Sequence, residues 1–571
     1  MTMRTEPAVK TEVARPQPLA LARPEIARDA LLLLPLFLGL FVGIWHPIQD
    51  LNEGLYARIP QEMLAAGNWV IPTLNGVPYL EKPPLLYWIT AGAYALFGVH
   101  EWTARCGSIL GMALGIAAMW RYARAAFSRD TALYAVWIYA TLPIAIVLGR
   151  TLLFDALFTG LLAWALVLLH EHWRDPRSTS VLRWSYACLA LAVMTKGLAA
   201  LAIYVGVALA YAWSCRSRIA GQQLRLLLEP GALAAFVVIA APWHVAAALQ
   251  EPGFAWFYFI NEHVMRLLGT RVPHDYHTGP WWYHLPRVAV YTLPWALLAL
   301  VRVPRDVERE RTRDGRMFLW SWLLVPLAVF SLAGEKGEYY MMLGMPALAL
   351  LLAQHAMALK RTALLLVPLG LVGALVWAQT TLMPHIAPYR LPEHYTTLLF
   401  AACVMTVASI AAYVRGGRRT GLLAVGAAGF TVMALFSGFM AVNADFKSAR
   451  NLAAQIALHP EAQVYLYEDY ETVSSLPFYL NENVGVVNSR SSDLWFGMQL
   501  HPDPERFPDT ASFAARAQRS DLWLIVNEKR LTDFRRSALA PLFATTGHSG
   551  RHVLLRSVPH ANRQSPRGAP R

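Results

Sequence analysis

Apolar runs about as long as a bilayer is thick recur along this chain, and they restrict it to a fold of membrane-crossing helices. A helix needs about 20 apolar residues to cross the hydrocarbon core, with every backbone polar group bonded internally. Such runs fall at 30–48, 103–120, 131–149, 152–170, 182–194, 198–213, 231–248, 287–302, 317–333, 341–357, 362–380, 396–413 and 420–441. Charged residues make up only 15% of the chain, against about 25% in soluble domains. The expected fold is a polytopic α-helical membrane protein with about thirteen transmembrane helices. The segment 85–98 is apolar but short, which suits a juxtamembrane helix lying at the outer surface.

Basic residues fix the orientation. Lys and Arg stay on the cytoplasmic side of short loops. Keeping 85–98 outside the count of spans leaves Arg121, Arg124, Arg129, the run Arg302 to Arg316, and Arg415, Arg418 and Arg419 all cytoplasmic. The formal charge of +13 is then a matter of topology, and no nucleic-acid partner is expected. Residues 1–29 form a cytoplasmic N-terminal tail before an uncleaved first helix, and 30–442 form the transmembrane domain with a first outer loop at 47–102. Beyond 443 the composition turns soluble. A helical stretch at 448–459 and short strands at 464–467, 484–487, 522–526 and 553–555 predict a small α/β domain on the outer face over 443–571, its tail from 561 disordered. The four cysteines lie in or beside apolar runs and are expected as buried thiols.

Almost every acid that lies neither in this domain nor in a basic cytoplasmic loop falls on the outer face, so chemistry is expected there. The first outer loop is long, mixed in charge and rich in Pro and aromatics, as functional loops are. Asn52-Glu53-Gly54-Leu55-Tyr56-Ala57 follows the first span. A carboxylate at Glu53 can take an acceptor's proton or face positive charge developing on a sugar ring; a plain polar helix exit is the alternative. In Tyr79-Leu80-Glu81-Lys82-Pro83-Pro84 the prolines hold Lys82 near the headgroup plane. There it can bind a phosphate as a point charge, or snorkel beside Glu81. Arg150 and Asp155 bracket an outer hairpin; an acid at the start of an apolar helix is a functional candidate, and an Arg–Asp lock is the structural one. Lys196 sits at another hairpin. Glu262, His263 and Arg266 follow an aromatic run, and Glu335, Lys336, Glu338, Tyr339 and Tyr340 face the same side. Glu81 and His263 offer metal-ligand chemistry for a divalent ion, without a spacing-defined motif; no other cofactor is expected.

Asn52-Glu53 with Tyr56-Ala57, the run Pro78 to Trp88, Arg150 with Asp155, Thr195-Lys196-Gly197, and Lys336 with Tyr339 together resemble the dolichyl-phosphate-mannose–protein mannosyltransferase family of GT-C fold. Within it the chain is most similar to the bacterial 4-amino-4-deoxy-L-arabinose transferases that modify lipid A. The family pattern has an Asp–Glu pair where this chain has Asn52-Glu53, which shifts the expected catalytic carboxylates to Glu53 and Asp155. The resemblance implies an inner-membrane enzyme acting on the periplasmic side as a monomer. It implies an undecaprenyl-phosphate-linked sugar as donor, lipid A phosphate as acceptor, inversion at the anomeric carbon, and polymyxin resistance as the outcome. Lys82, Arg58 and Arg266, then Lys336 and Lys196, are the expected phosphate-binding cations, with Asn52, Tyr56, Tyr79, Tyr87, Arg150 and Tyr339 around the substrate cavity. Protein O-mannosylation is the alternative within the class. A flippase for a lipid-linked sugar is the alternative outside it, disfavoured by the absence of paired repeats.

Overall fold

The computed structural model describes residues 33–215 (35 excepted), 227–274, 278–302, 313–359, 361–377 and 438–558 (462 excepted), with scattered positions between 380 and 415. The expected tail at 1–29, most of the spans 396–413 and 420–441, and the end of the chain from 561 lie outside the described residues. Among the described residues, four helices are long and apolar enough to cross a membrane: Phe154–Arg174, Pro230–Gln250, Arg313–Leu332 and Tyr340–Ala358. The first of these is central, 89% of its apolar stretch being buried, whereas Pro230–Gln250 is 22% buried and turns most of its surface outward. The central helix crosses the helix Cys106–Ala126 at Gly111 and Gly160, where a Cβ on either glycine would meet the other helix's backbone. Small residues at such crossings let backbones approach within membranes.

Two expected spans are broken by proline. The stretch 131–149 folds as Arg129–Thr141 and Pro143–Leu148, with Leu142 extended (ψ 135°) before Pro143. The stretch 287–302 folds as His284–Thr292 and a 3₁₀ turn, Trp295–Leu300, with Pro294 between them. The four cysteines are half-buried free thiols, rather than fully buried ones.

The first outer loop is more regular than its composition suggests. It contains a 15-residue helix, Asn52–Ala66, closed by Gly67 in the left-handed region (φ 65°). A two-stranded hairpin, Thr73–Leu74 with Val77–Pro78, follows and turns on Asn75 (φ 53°) and Gly76 (φ 78°). The juxtamembrane helix Leu85–Phe97 comes after Pro83-Pro84. Glu53 and Arg105 anchor this assembly from inside. The Arg105 guanidinium meets Glu53 at 2.8 and 2.9 Å and donates to the Ile44 and His46 carbonyls at 2.6 Å. Glu53 also accepts from Leu152 N at 2.7 Å and Gln49 N at 2.9 Å.

Beyond Asn443 the chain forms a five-stranded sheet in the order Gly485–Val487, Gln463–Tyr467, Leu522–Asn527, His552–Ser557, Phe543–Ser549. The first three strands run parallel and the last two join antiparallel. The edge strand Phe543–Ser549 escapes sequence reading because its residues are mostly polar and exposed. This unit is bonded to the outer loop through many contacts. Asp50 accepts from Ser475 N at 2.9 Å and Ser475 Oγ at 2.7 Å. Asn75 exchanges two 2.9 Å bonds with the Val484 backbone. The helix Ser492–Leu500 lies on Val77–Pro78, and Phe496 stacks on Phe257 at 4.0 Å.

The joint carries a pH dependence. Burial lifts the Asp50 carboxyl to about 7 against the opposing Ser475 hydrogen bonds. The unfolded chain releases this proton near 3.8, so between 3.8 and about 7 the folded state holds more protons. Stability therefore falls as pH rises through that window and levels off above it. Melting temperature in detergent, followed from pH 4 to 8, is expected to show this decline in the native chain and a flatter profile in Asp50→Asn.

Candidate active site

A cavity of about 360 Å³ opens where the first outer loop, the central helix, the 254–274 segment and the 334–340 turn converge. Its charged lining consists of Glu81, Lys82, Asp155, Lys196, Glu262, Arg266 and Glu335; its wall is apolar, with Leu198, Ala199, Ala202, Leu267, Val329 and Phe330. Pro83-Pro84 stops the hairpin and starts the next helix, which fixes the loop that presents Glu81 and Lys82. Asp155 begins the central helix, and Lys196 ends the antiparallel helix Thr179–Lys196. Those two ends meet: Lys196 Nζ lies 2.6 Å from Asp155 Oδ1 and 4.9 and 5.1 Å from the ring centres of Tyr339 and Tyr340.

Behind the wall lies Arg271, buried to 1%. Its guanidinium reaches Glu262 at 2.5 Å and Glu81 at 2.7 Å. Lys82 holds the same two acids at longer range, 3.4 Å to Glu81 and 3.7 Å to Glu262. Arg266 pairs with Glu262 at 3.1 Å and Glu335 at 3.3 Å. Burial pushes the Glu81 carboxyl up, but Arg271 and then Lys82 outweigh it and hold it down at about 2. Glu81 is therefore ionised at any physiological pH. Arg271 takes the shortest contacts, so the ammonium of Lys82 is the more loosely engaged charge. An incoming anion can recruit Lys82 and Arg266 without stripping the carboxylates of all their partners.

The expected residues divide into two groups. Lys82, Arg266, Lys196, Asp155, Glu81 and His263 line one cavity. Tyr339 stands over Lys196, and Tyr79 donates to Glu81 Oε2 at 3.3 Å. Tyr56 and Tyr87 gather edge-on around Phe154, next to Asp155, at 4.8 and 5.4 Å. Glu53 does not line this cavity; its carboxylate is absorbed by Arg105, and its neighbour Asn52 opens the outer helix. Arg58 is also elsewhere, clamped to Glu62 at 3.2 Å and to Asn481 and Asn483 of the C-terminal unit. Lys336 donates to the carbonyls of Phe330, Ser331 and Ala333 and caps the helix Arg313–Leu332. Arg150 spends its guanidinium on the carbonyls of Gly39, Val42 and Ile146, while Asp155 turns to Lys196.

A metal ion does not fit the expected pair. His263 Nδ1 bonds Tyr258 O at 2.6 Å and Nε2 accepts from Leu198 N at 3.0 Å, while Glu81 is matched by Arg271 and Lys82. Among the described residues, no group of three or more His, Cys, Asp or Glu gathers as a metal site. Arg271 itself was not foreseen. It sits in the polar stretch 269–278 with no motif spacing, and only the surplus of acids around it hints at a buried partner.

The dolichyl-phosphate-mannose-protein mannosyltransferase family matches residues 81–245. The chain is 32% identical over 368 residues to the undecaprenyl phosphate-alpha-4-amino-4-deoxy-L-arabinose arabinosyl transferase of Erwinia tasmaniensis; the match spans 62% of this chain and 63% of that protein. With the transferase of that name from Pectobacterium carotovorum, identity is 28% over 90% of this chain and 94% of the other. Among solved structures, ArnT from Cupriavidus metallidurans bound to undecaprenyl phosphate superposes with a TM-score of 0.75 at 25% identity, covering 95% of this chain and 99% of that one. The fold is that of this solved protein. The family match takes in the EKPP run from Glu81 onward, the likeness to the solved structure runs along nearly the whole chain, and the protein is a multi-pass helical membrane protein.

Arg271 makes the site's arrangement testable as a cycle. Arg271→Leu strands two buried carboxylates and is expected to cost about 3–5 kcal/mol of stability. Arg271→Leu combined with Glu262→Leu is expected to recover part of that loss, read as melting temperatures of the single and double variants.

Proposed function

We propose that this chain is an inner-membrane glycosyltransferase that moves 4-amino-4-deoxy-L-arabinose from undecaprenyl phosphate to a phosphate of lipid A. The reaction takes place on the periplasmic side, where the outer loop and the C-terminal unit lie, and the enzyme acts as a monomer. The observation that carries this reading is the pairing of Lys82 and Arg266 over an apolar cavity wall. Two cations at the mouth suit a phosphate, and the wall suits the first isoprene units of a prenyl chain.

An oxygen of the acceptor phosphate attacks the anomeric carbon from the side opposite the leaving group. The new C–O bond forms as the bond to undecaprenyl phosphate breaks, and its electron pair leaves with that phosphate, which inverts the anomeric centre. Lys82 and Arg266 meet the charge that accumulates on the departing phosphate. Asp155, held by Lys196, offers a carboxylate to the positive charge developing on the sugar ring. A lipid A phosphate is already an anion near neutral pH and has little need of a general base. That agrees with an amide at Asn52 and with a Glu53 carboxylate committed to Arg105. A cationic sugar on lipid A lowers the negative charge that attracts polymyxin, which gives the expected resistance.

The reading is tested with purified protein, undecaprenyl-phosphate-linked aminoarabinose and lipid A, with products weighed by mass spectrometry. Transfer to lipid A, and none to a serine/threonine peptide, is the expected result. Lys82→Ala is expected to lower the transfer rate by at least about 10²-fold, as for loss of one fixed charge-stabilising group, with an unchanged melting temperature. Near-native transfer by that variant would remove Lys82 from the phosphate site.

A further inference from the structure

Three segments bring charged side chains to the cavity, and one apolar cluster lies beneath all three. Leu80 directly precedes Glu81 and Lys82, Met194 comes just before Lys196, and Phe257 and Tyr258 precede Glu262 and Arg266. These four apolar side chains are buried in a single cluster. Tyr258 also packs under the turn after Lys196, where a Cβ on Gly197 would meet its hydroxyl at 2.9 Å. The spacing of the cavity's charges therefore depends on how this cluster is packed.

The membrane part does not close the cluster by itself. The helix Ser492–Leu500 of the C-terminal unit lays Trp495, Phe496 and Leu500 against it. The Phe496 ring lies flat on that of Phe257, with centroids 4.0 Å apart and planes within 7°. The chain passes under Phe496 at Gly253, where φ is 91° and a Cβ would meet the ring at 3.3 Å. Phe257 belongs to the π-helix Trp256–Met265, whose backbone bonds link residues five apart, the spacing of Phe257 and Glu262. Asn261, beside Glu262, exchanges bonds of 2.7 and 2.9 Å with the backbone of Val272, the neighbour of Arg271. A displacement of Phe257 is thus passed to Glu262 and Arg271 together. Neither Phe257 nor Phe496 lines the cavity.

We infer that Phe496 is a positioning residue for the phosphate site, acting through Phe257 to hold the stretch that carries Glu262 and Arg266 in register with Lys82. This deepens the reading above and rests on its lipid-phosphate donor. Phe496 touches no substrate; it fixes the distance between two cations that must meet one phosphate. Close-packed interiors pass a displacement on rather than absorb it. Removing the ring opens a hollow beneath Phe257, the π-helix settles toward it, and Arg266 moves away from Lys82. The C-terminal unit thereby takes part in donor binding from behind the cavity wall.

The test uses the full-length protein in detergent with undecaprenyl phosphate alone as ligand, its Kd read by calorimetry. KM and kcat are measured beside it for transfer from undecaprenyl-phosphate-linked aminoarabinose to lipid A. Phe496→Ala is expected to weaken Kd and raise KM by at least about tenfold, as misplacement of a binding group does, with kcat within about threefold of native. Phe257→Ala is expected to show the same loss, and the double variant to lie within about twofold of either single one, since one contact is lost in all three. Phe496→Tyr keeps the ring and is expected to bind within about twofold of native. Phe496→Leu keeps the apolar bulk, so it serves if the alanine variant fails to fold, and is expected to weaken Kd about threefold through loss of ring stacking. A purely structural role would lower the melting temperature and the active fraction while leaving Kd and KM native. That result, or losses that multiply in the double variant, would overturn the inference and leave the transferase reading intact. A native protein that does not bind undecaprenyl phosphate would overturn both.

Discussion

Arg271 holds the site in shape. It reaches two carboxylates that come from different parts of the chain, Glu81 after the outer hairpin and Glu262 on the aromatic segment, and fastens those segments to each other. Four acids meet four bases in and behind the cavity, so the ensemble is close to neutral when no substrate is bound. Buried ion networks of this kind contribute more to geometry than to net stability, because desolvation cancels much of the attraction. The result is positional: Lys82 and Arg266 are held at the cavity, each beside two carboxylates.

The membrane part and the C-terminal unit share this task. The outer helix, the hairpin and the C-terminal sheet are joined by Asp50 with Ser475, Arg58 with Asn481 and Asn483, and Asn75 with Val484. Neither these side chains nor the elements they join line the cavity, but the hairpin leads directly into Glu81 and Lys82, which do. Glu53 and Arg105 perform the same service from below, tying the outer helix to the exit of the first span and to the 150–153 turn.

Much of this was legible in the sequence. The helix Leu85–Phe97 follows from an apolar run placed behind two prolines. Asp155 and Lys196 stood out separately as charges at helix ends, and antiparallel packing of their helices brings them together over 41 residues. Glu53 reads in the sequence as a catalytic carboxylate because its partner, Arg105, lies 52 residues further on and inside an apolar neighbourhood. The helix Asn52–Ala66 was hidden because it is buried on nearly all sides and shows no clear polar and apolar faces. Arg58 and Lys336 read in the sequence as phosphate-binding cations, since carbonyl and amide acceptors leave no mark there. Arg271 belongs to the same class: its partner Glu81 comes from a distant segment.

The tight crossing at Gly111 and Gly160 has a bearing on the geometry at the start of the central helix. Gly160 lies about one and a half turns along the central helix from Asp155, and the two backbones meet there with only hydrogen atoms between them. A methyl group at either glycine would act as a wedge, tilting that helix about its midpoint and carrying its carboxylate away from Lys196. The reach of that acid is thus set by the smallest side chains inside the helix bundle.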